Sequence, residues 1–179
     1  MFHPNDTAAA FIDGPNFHAT ARALGFDVDY RKLLALLTSE ARLLRASYFT
    51  PIAESDEHVA IRPLVDWMQY NGWHVTTKAC REHTTDDGRR RFRGSTDIDL
   101  AVAATDLAPF ITHAAIFTGN RDFAPLVHAL QAKGVRVTIV STIQTASPFA
   151  ADDLRRMADA FVDVEDLRHV IARPERQAA

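Results

Sequence analysis

The chain has 179 residues, of which 47 % are hydrophobic and 24 % are charged, and 20 Lys and Arg against 23 Asp and Glu give a net charge of −3. This balance is that of an ordinary globular protein and excludes a chain that is disordered throughout. Because the net charge is mildly negative, any nucleic-acid binding would need a local basic surface. The single cysteine, Cys80, excludes an internal disulfide, and no Cys/His spacing indicates a zinc site.

A chain of this length fits one domain, and we expect its core over about residues 8–168 with a frayed tail at 173–179. The N-terminal residues lack the basic start and the long apolar run of a secretory signal. No stretch reaches the roughly 18 apolar residues that are needed to span a bilayer. We therefore expect a cytoplasmic protein that does not bind membranes.

Short apolar runs alternate along the chain with segments whose apolar residues recur every three or four positions, which predicts alternating strands and helices. The predicted strands are Ala8–Ile12, Leu44–Thr50, Trp73–Ala79, Ala114–Thr118 and Val135–Ser141. The predicted helices are Tyr30–Arg42, His58–Tyr70, Asp97–Ala108, Phe123–Lys133 and Asp152–Phe161, and His83–Gly94 is predicted as a polar loop. This alternation is typical of a parallel sheet covered on both faces. We therefore predict a three-layer α/β/α sandwich with a mostly parallel, five-stranded sheet.

Acidic and amide side chains occupy three neighbouring positions in this scheme. Asp13 ends the first strand, Asp97 and Asp99 open the third helix, and Asn120 and Asp122 follow the fourth strand. The carboxyl ends of parallel strands form the ligand crevice of open α/β sheets, so these groups are expected to converge. Their hard oxygen atoms suit Mg²⁺ or Mn²⁺. Two helical residues place Asp97 and Asp99 about 200° apart, so we expect Asp97 to face the crevice.

Each aspartate also has a purely structural interpretation. Asp97 and Asp122 start predicted helices, where a carboxylate is favoured by capping and by the helix dipole. Taken singly, each is better explained as a cap. The coincidence of three at the carboxyl edge of one sheet favours a site.

Three segments carry a family resemblance: Phe-Ile-Asp-Gly-Pro-Asn (11–16), Arg-Gly-Ser-Thr-Asp-Ile-Asp-Leu-Ala-Val (93–102) and Thr-Gly-Asn-Arg-Asp-Phe-Ala-Pro-Leu-Val (118–127). In order and spacing they resemble the NYN domain, and most closely its LabA-like branch, within the PIN-like nuclease superfamily. The resemblance extends over about residues 8–168. It implies the strand order 3-2-1-4-5, with the order reversing between the first and fourth strands, and metal-dependent cleavage of RNA phosphodiester bonds.

The resemblance also implies roles for single residues. Asp13, Asp97 and Asp122 match acidic metal-site positions, and Asn16 matches the amide that follows the first aspartate. Two departures stand out, because Asn120 and Ala103 occupy positions where members of the family often have an aspartate. An asparagine can bind Mg²⁺ through its carbonyl oxygen but brings no charge, so weaker metal binding is expected.

The segment from residue 78 to 93 is locally basic. It contains three acids, Glu82, Asp86 and Asp87, and the six basic residues Lys78, Arg81, Arg89, Arg90, Arg91 and Arg93. A basic loop leading into Asp97 would guide an RNA backbone toward the metal site. A solvated loop without a binding role explains the same composition equally well.

These observations predict a metal-dependent nuclease that acts on single-stranded RNA. Its catalytic metal ligands would be Asp13, Asp97 and Asp122 together with Asn120, and Asn16 and Asp99 would support those ligands. The alternatives are a catalytically weak RNA- or protein-binding regulator, which Asn120 and Ala103 favour, and a small-molecule phosphohydrolase. A homodimer or another protein partner is left open by the sequence.

Overall fold

The structure is a computed structural model that describes residues 1–53, 61–84 and 90–174. Its strands are β1 (Thr7–Asp13), β2 (Arg42–Ala53), β3 (Trp73–Thr84), β4 (Arg90–Arg93), β5 (His113–Phe117), β6 (Arg136–Ser141) and β7 (Ala160–Asp163). Its α-helices are α1 (Gly14–Ala23), α2 (Tyr30–Glu40), α3 (Arg62–Tyr70), α4 (Asp97–Leu107), α5 (Ala124–Gln131), α6 (Asp152–Met157) and α7 (Val164–Ile171). Short 3₁₀ helices lie at Ala108–Phe110 and Arg121–Phe123.

The strands form one sheet in the order β4-β3-β2-β1-β5-β6-β7. Every neighbouring pair is parallel except β3 and β4, which are antiparallel. The five predicted strands correspond to β1, β2, β3, β5 and β6, so the predicted α/β class and the order 3-2-1-4-5 are confirmed. The strand order reverses between β1 and β5, because β2, β3 and β4 extend the sheet on one side of β1 and β5, β6 and β7 extend it on the other.

Two apolar layers enclose this sheet. On one face Ile12, Tyr48 and Phe117 pack with residues of α1, α2, α3 and α7. On the other face Phe11, Phe49 and Ile116 pack with residues of α4, α5 and α6. Side chains of successive strand residues point to opposite faces, so each central strand contributes to both layers.

The edges of the sheet differ from the sequence-based expectation. The loop predicted at His83–Gly94 is wrong at both ends, because β3 continues to Thr84 and residues 90–93 pair with it as β4. Residues 85–89 lie outside the described residues. At the other edge the helix predicted over Asp152–Phe161 is wrong in its second half. It ends at Met157, and residues 160–163 form β7 beside β6.

The local helix signals agree with the structure. The Asp29 side chain caps α2 by accepting hydrogen bonds from the backbone N–H groups of Arg31 and Lys32. Pro63 lies in the first turn of α3, the place where a helix tolerates proline. Gly72 and Gly134 have φ values of 84° and 79°, the left-handed conformation expected just past a helix.

The ends of several elements shift, and two helices are additional. The helix predicted from His58 begins at Arg62, and residues 54–60 lie outside the described residues. Helices α1 and α7 were not predicted. In the proposed tail, the backbone N–H of Arg173 donates to the carbonyl oxygen of Asp27, whereas residues 175–179 lie outside the described residues. None of the helices in the described ranges has the length and apolar character that crossing a membrane requires.

Candidate functional site at the strand-order reversal

Asp13 lies where β1 passes into α1, at the carboxyl edge of the sheet. Its carboxylate is buried and caps α1 by accepting a hydrogen bond from the backbone N–H of Asn16 at 3.3 Å. The hydroxyl of Thr118, the residue after β5, donates to the other carboxylate oxygen at 2.9 Å. The two central strands therefore meet at this one side chain.

A second bond joins the same two loops. The backbone N–H of Gly119 donates to the side-chain oxygen of Asn16 at 3.0 Å, and the Asn120 N–H donates to the Thr118 hydroxyl oxygen at 3.2 Å. An alanine at position 119 has no room, because its Cβ would lie 2.0 Å from the carbonyl oxygen of Phe149. The loop after β5 is thus clamped between α1 and the loop at residues 142–151.

Asp97 approaches this centre from the first turn of α4. Its backbone N–H donates to the Ser95 hydroxyl oxygen at 3.0 Å. The side-chain amide nitrogen of Asn120 lies 3.5 Å from a carboxylate oxygen of Asp97. Since the amide oxygen of Asn120 accepts the backbone N–H of Asp122 at 3.1 Å, the amide directs its N–H₂ group toward Asp97.

The pKa of Asp13 reflects both its burial and the nearby charge of Asp97. Burial raises the pKa of Asp13, and the hydrogen bonds from Thr118 and Asn16 offset part of this effect. The negative charge of Asp97 raises the pKa of Asp13 further. A buried carboxylate beside a second one is a place where a cation lowers the free energy of the charged state.

The approach of Asp13 to the sheet depends on a glycine. A Cβ atom on Gly14 would lie 2.6 Å from the ring of Tyr48 and 2.7 Å from the carbonyl oxygen of Phe49. Only the absence of a side chain lets α1 begin directly on β2. Burial raises the pKa of the Tyr48 phenol, and the charge of Asp13 adds to this shift, so Tyr48 stays neutral beneath the site.

Four of the predicted site residues lie together in the structure, and the other two, Asp99 and Asp122, do not join them. Asp13, Asn16, Asp97 and Asn120 form the connected centre described above. Asp122 is exposed and lines, with Asp97, a groove between α4 and α5. Within the described part of the chain, no group of three or more His, Cys, Asp or Glu side chains is placed to hold a metal ion. The centre is therefore a carboxylate pair with amide neighbours.

Five of the predicted RNA-binding residues belong to β3 or β4: Lys78, Arg81, Arg90, Arg91 and Arg93. The ammonium group of Lys78 forms an ion pair with Asp99 at 3.2 Å, so the Asp99 carboxylate reaches β3. Arg81, Arg90, Arg91 and Arg93 belong to the β3–β4 hairpin, but their side chains lie outside the described part. Arg89 lies wholly outside the described residues.

Two residues of the centre carried no prediction. Thr118 donates to Asp13, and the Ser95 hydroxyl oxygen accepts the backbone N–H of Asp97 at the start of α4. A hydroxyl residue at the end of an apolar strand is a usable signal for the first, because a buried hydroxyl needs a partner. For Ser95, the signal is a serine two residues before a helical aspartate.

The family described as the NYN domain matches residues 7–165, nearly the whole chain. The chain belongs to the NYN domain family. This NYN domain is 28 % identical over 172 residues to the "Low amplitude and bright protein LabA" of Synechococcus elongatus, with 94 % of the present chain and 89 % of LabA covered.

A solved structure supports the fold of this NYN domain. The domain is similar, with a TM-score of 0.71 and 22 % identity, to the crystal structure of VPA0982, a protein of unknown function from Vibrio parahaemolyticus. The similarity covers 93 % of the present chain and 97 % of that protein. The sheet of this NYN domain has the PIN-like strand order. The three segments that carry the family resemblance supply Asp13, Asp97 and Asn120 to one centre.

Proposed function

We propose that this NYN domain is a metal-dependent nuclease that hydrolyses phosphodiester bonds of single-stranded RNA. The observation that carries the proposal is the buried carboxylate of Asp13 at the strand-order reversal, within electrostatic reach of Asp97. Open α/β sheets bind their ligands at such a reversal. Membership of the NYN domain family, which lies within the PIN-like nuclease superfamily, favours this chemistry over other reactions at a carboxylate pair.

The donor set suits Mg²⁺ or Mn²⁺. Magnesium in nucleic-acid enzymes is commonly held by one or two carboxylates, and water and substrate phosphate complete its shell. Asp13 and Asp97 would supply the two carboxylates, and Asp122 would contribute from the rim through water. Such an ion, when bound, stabilises charge on a phosphoryl oxygen and makes bound water a better nucleophile.

The remaining residues of the centre position these ligands. The Thr118 hydroxyl and the Asn16 N–H fix the two oxygens of Asp13 in place. The bond from Gly119 to Asn16 holds the β5 loop against α1, so the distance between the two halves of the centre is preset. Preset donors avoid the reorganisation that a flexible site would need when substrate binds.

RNA binding with little or no cleavage is a second candidate, and one contact favours it. The amide of Asn120 places an N–H₂ group against Asp97, where it satisfies part of the charge that a cation would otherwise neutralise. A carboxylate at position 120 would instead add a ligand. The two candidates therefore differ in what residue 120 does.

The test is hydrolysis of a labelled single-stranded RNA with Mg²⁺ or Mn²⁺ varied from none to excess. Asp13→Asn should reduce metal-dependent cleavage roughly 100-fold or more, because it removes the buried charge of the centre. Asn120→Asp should raise cleavage and strengthen metal affinity roughly tenfold, since an added carboxylate attracts the cation. Without metal, Asn120→Asp should lower the melting temperature, because it replaces the amide donor to Asp97 with a like charge.

Asp106→Asn is the matched control. Asp106 is an exposed carboxylate on α4, so the same exchange there should leave cleavage and metal affinity unchanged. A wild-type protein that binds the RNA but cleaves no faster than Asp13→Asn would contradict the nuclease proposal and support the binding protein. Turnover of phosphate monoesters without RNA cleavage would indicate a small-molecule phosphohydrolase.

A further inference from the structure

A second cavity lies on the α2–α3 face, away from the Asp13 centre. Its volume is about 530 Å³, within the range of small-molecule sites. The N-terminal turn of α2, the start of α3 and the segment after α7 form its walls. The side chains that matter for binding are Arg31, Trp67 and Arg173, with Leu64 as an apolar wall.

Both arginines present charge that the protein leaves unneutralised. Among the described side chains, neither Arg31 nor Arg173 has a carboxylate partner within ion-pair distance. The acidic residue of the cavity, Asp29, uses its carboxylate to accept the backbone N–H groups of Arg31 and Lys32 at 3.0 and 3.3 Å. An anion entering the cavity would therefore find two guanidinium groups without competing ion pairs.

The two arginines are held in different ways, Arg31 through its side chain and Arg173 through its backbone. The Arg31 guanidinium lies over the ring of Trp67, 5.7 Å from its centroid, which favours a flat, stacked orientation. Arg173 is fixed through its backbone, because its N–H donates to the carbonyl oxygen of Asp27 at 2.8 Å. The neighbouring residue Ala172 pairs with Val28 as a β-bridge. The segment that carries Arg173 is thus anchored beside the N-terminus of α2.

This chemistry fits a planar ring linked to a phosphate. Guanidinium planes stack on nucleic-acid bases, and their fork of N–H donors matches phosphate oxygens. We propose that this cavity binds a nucleotide, with its base against the Arg31–Trp67 stack and its phosphate on Arg173. The nucleotide comes from one of two sources, a free nucleoside monophosphate or one unit of a single-stranded RNA. The site does not depend on metal or on Asp13.

The test measures binding of AMP to the whole protein in buffer with EDTA, by calorimetry and by tryptophan fluorescence. The chain has two tryptophans, and Trp73 is buried, so quenching by AMP reports on Trp67. Arg31→Gln and Arg173→Gln should each weaken AMP binding roughly tenfold. Arg62→Gln removes a nearby exposed charge that does not line the cavity, and should leave AMP affinity unchanged.

Two further comparisons separate the roles of base and phosphate. Wild type should bind AMP more tightly than ribose 5-phosphate, and Arg31→Lys should lose that preference because a lysine has no plane on which a base stacks. Arg173→Gln should bind adenosine and AMP equally. Circular dichroism of each variant should match wild type, since both arginines are exposed.

AMP that fails to bind at millimolar concentration, or binds equally well to wild type and both glutamine variants, would overturn the proposal that the cavity binds a nucleotide. Equal affinity of wild type for AMP and ribose 5-phosphate would also overturn it, because the cavity would then recognise an anion alone. A short oligoadenylate that binds more tightly than AMP and loses affinity in the same variants identifies RNA as the source. Equal affinity for the two identifies the free nucleotide.

Discussion

At the scale of single residues, the hydrogen bonds of Asp13 stabilise its charged form, whereas its burial destabilises it. Asp13 caps α1 and accepts the Thr118 hydroxyl, yet burial and the charge of Asp97 both raise its pKa. A carboxyl group with a raised pKa in the folded state contributes stability below its ordinary value of 3.8, and this stability is lost as pH rises through the folded pKa. At neutral pH the ionised Asp13 therefore destabilises the metal-free protein.

Replacing this charge should accordingly strengthen the fold. Asp13→Asn keeps an oxygen for the Asn16 N–H and offers an N–H₂ group to the Thr118 hydroxyl oxygen, so both hydrogen bonds survive. We expect a higher free energy of unfolding at pH 7 in EDTA than for wild type, measured by urea denaturation. Saturating Mn²⁺ should stabilise wild type more than the variant. A lower stability of Asp13→Asn in EDTA would show that capping outweighs the burial of charge.

At the scale of elements, the loop after β5 is the most constrained part of the centre. A Cβ atom added to Gly119 would meet Phe149 and Ser141. Gly134 has a positive φ, and a Cβ atom added there would meet nothing within 4 Å. Gly119→Ala should lower the free energy of unfolding by about 1–3 kcal/mol or more through overpacking. Gly134→Ala should cost only about 1 kcal/mol, the strain of a left-handed alanine.

Thermal and urea unfolding of the two glycine variants check this difference. Gly119→Ala should also impair metal-dependent cleavage, because the Gly119 N–H holds Asn16 and the same loop carries Asn120. Equal destabilisation by the two substitutions would mean that the 142–151 loop moves aside at no cost.

Local signals predicted those elements whose ends are set by neighbouring residues. The Asp29 cap, Pro63 in a first turn and Gly72 beyond a helix each act within a few residues. Helix α1 was not predicted because Gly14 and Pro15 are typical of a turn, and the cap that starts the helix is the same Asp13 that ends β1.

The edge strands could not be predicted from local signals, because their pairing is tertiary. In β7 only Asp163 is buried, and the strand exists because residues 160–163 pair with β6. Asp159 sets the register, since its carboxylate accepts the backbone N–H of Val137 and the amide of Gln131. The same limit applies to the site. Motif order placed Asp13, Asp97 and Asn120 at one edge, but only coordinates show that the Asn120 amide faces Asp97.

At the scale of the whole molecule, a buried polar chain closes the end of the sheet opposite the site. His113, at the start of β5, is buried between Asp6 at 2.8 Å and the Thr138 hydroxyl at 2.7 Å. Burial lowers the pKa of His113 although Asp6 acts to raise it. Burial also raises the pKa of Asp6, but hydrogen bonds from His3, His113 and Thr112 outweigh it, so that pKa lies below 3.8.

Both shifts make the folded protein bind fewer protons than the unfolded chain. Stability from His113 is therefore present above its ordinary pKa of 6.5 and lost as pH falls from there through the lowered folded value. We expect the urea midpoint to fall between about pH 7 and pH 5, and the fall to be smaller in His113→Gln, whose amide does not titrate. The same loss in both proteins would assign the pH dependence to other groups.

The bonds that assemble the centre join residues far apart in the chain, and this has a consequence for how the protein is made. Thr118 reaches back 105 positions to Asp13, and Gly119 reaches back 103 to Asn16. On the ribosome β1, β2 and β3 emerge first, and β5 begins 29 positions after the last residue of β3. Until then β1 has one open edge, and Asp13 lacks the hydrogen bond from Thr118. The nascent chain therefore completes its centre late, and a truncated product ending before residue 113 would carry Asp13 and Asp97 without Thr118 and Asn120, which contact them in the folded protein.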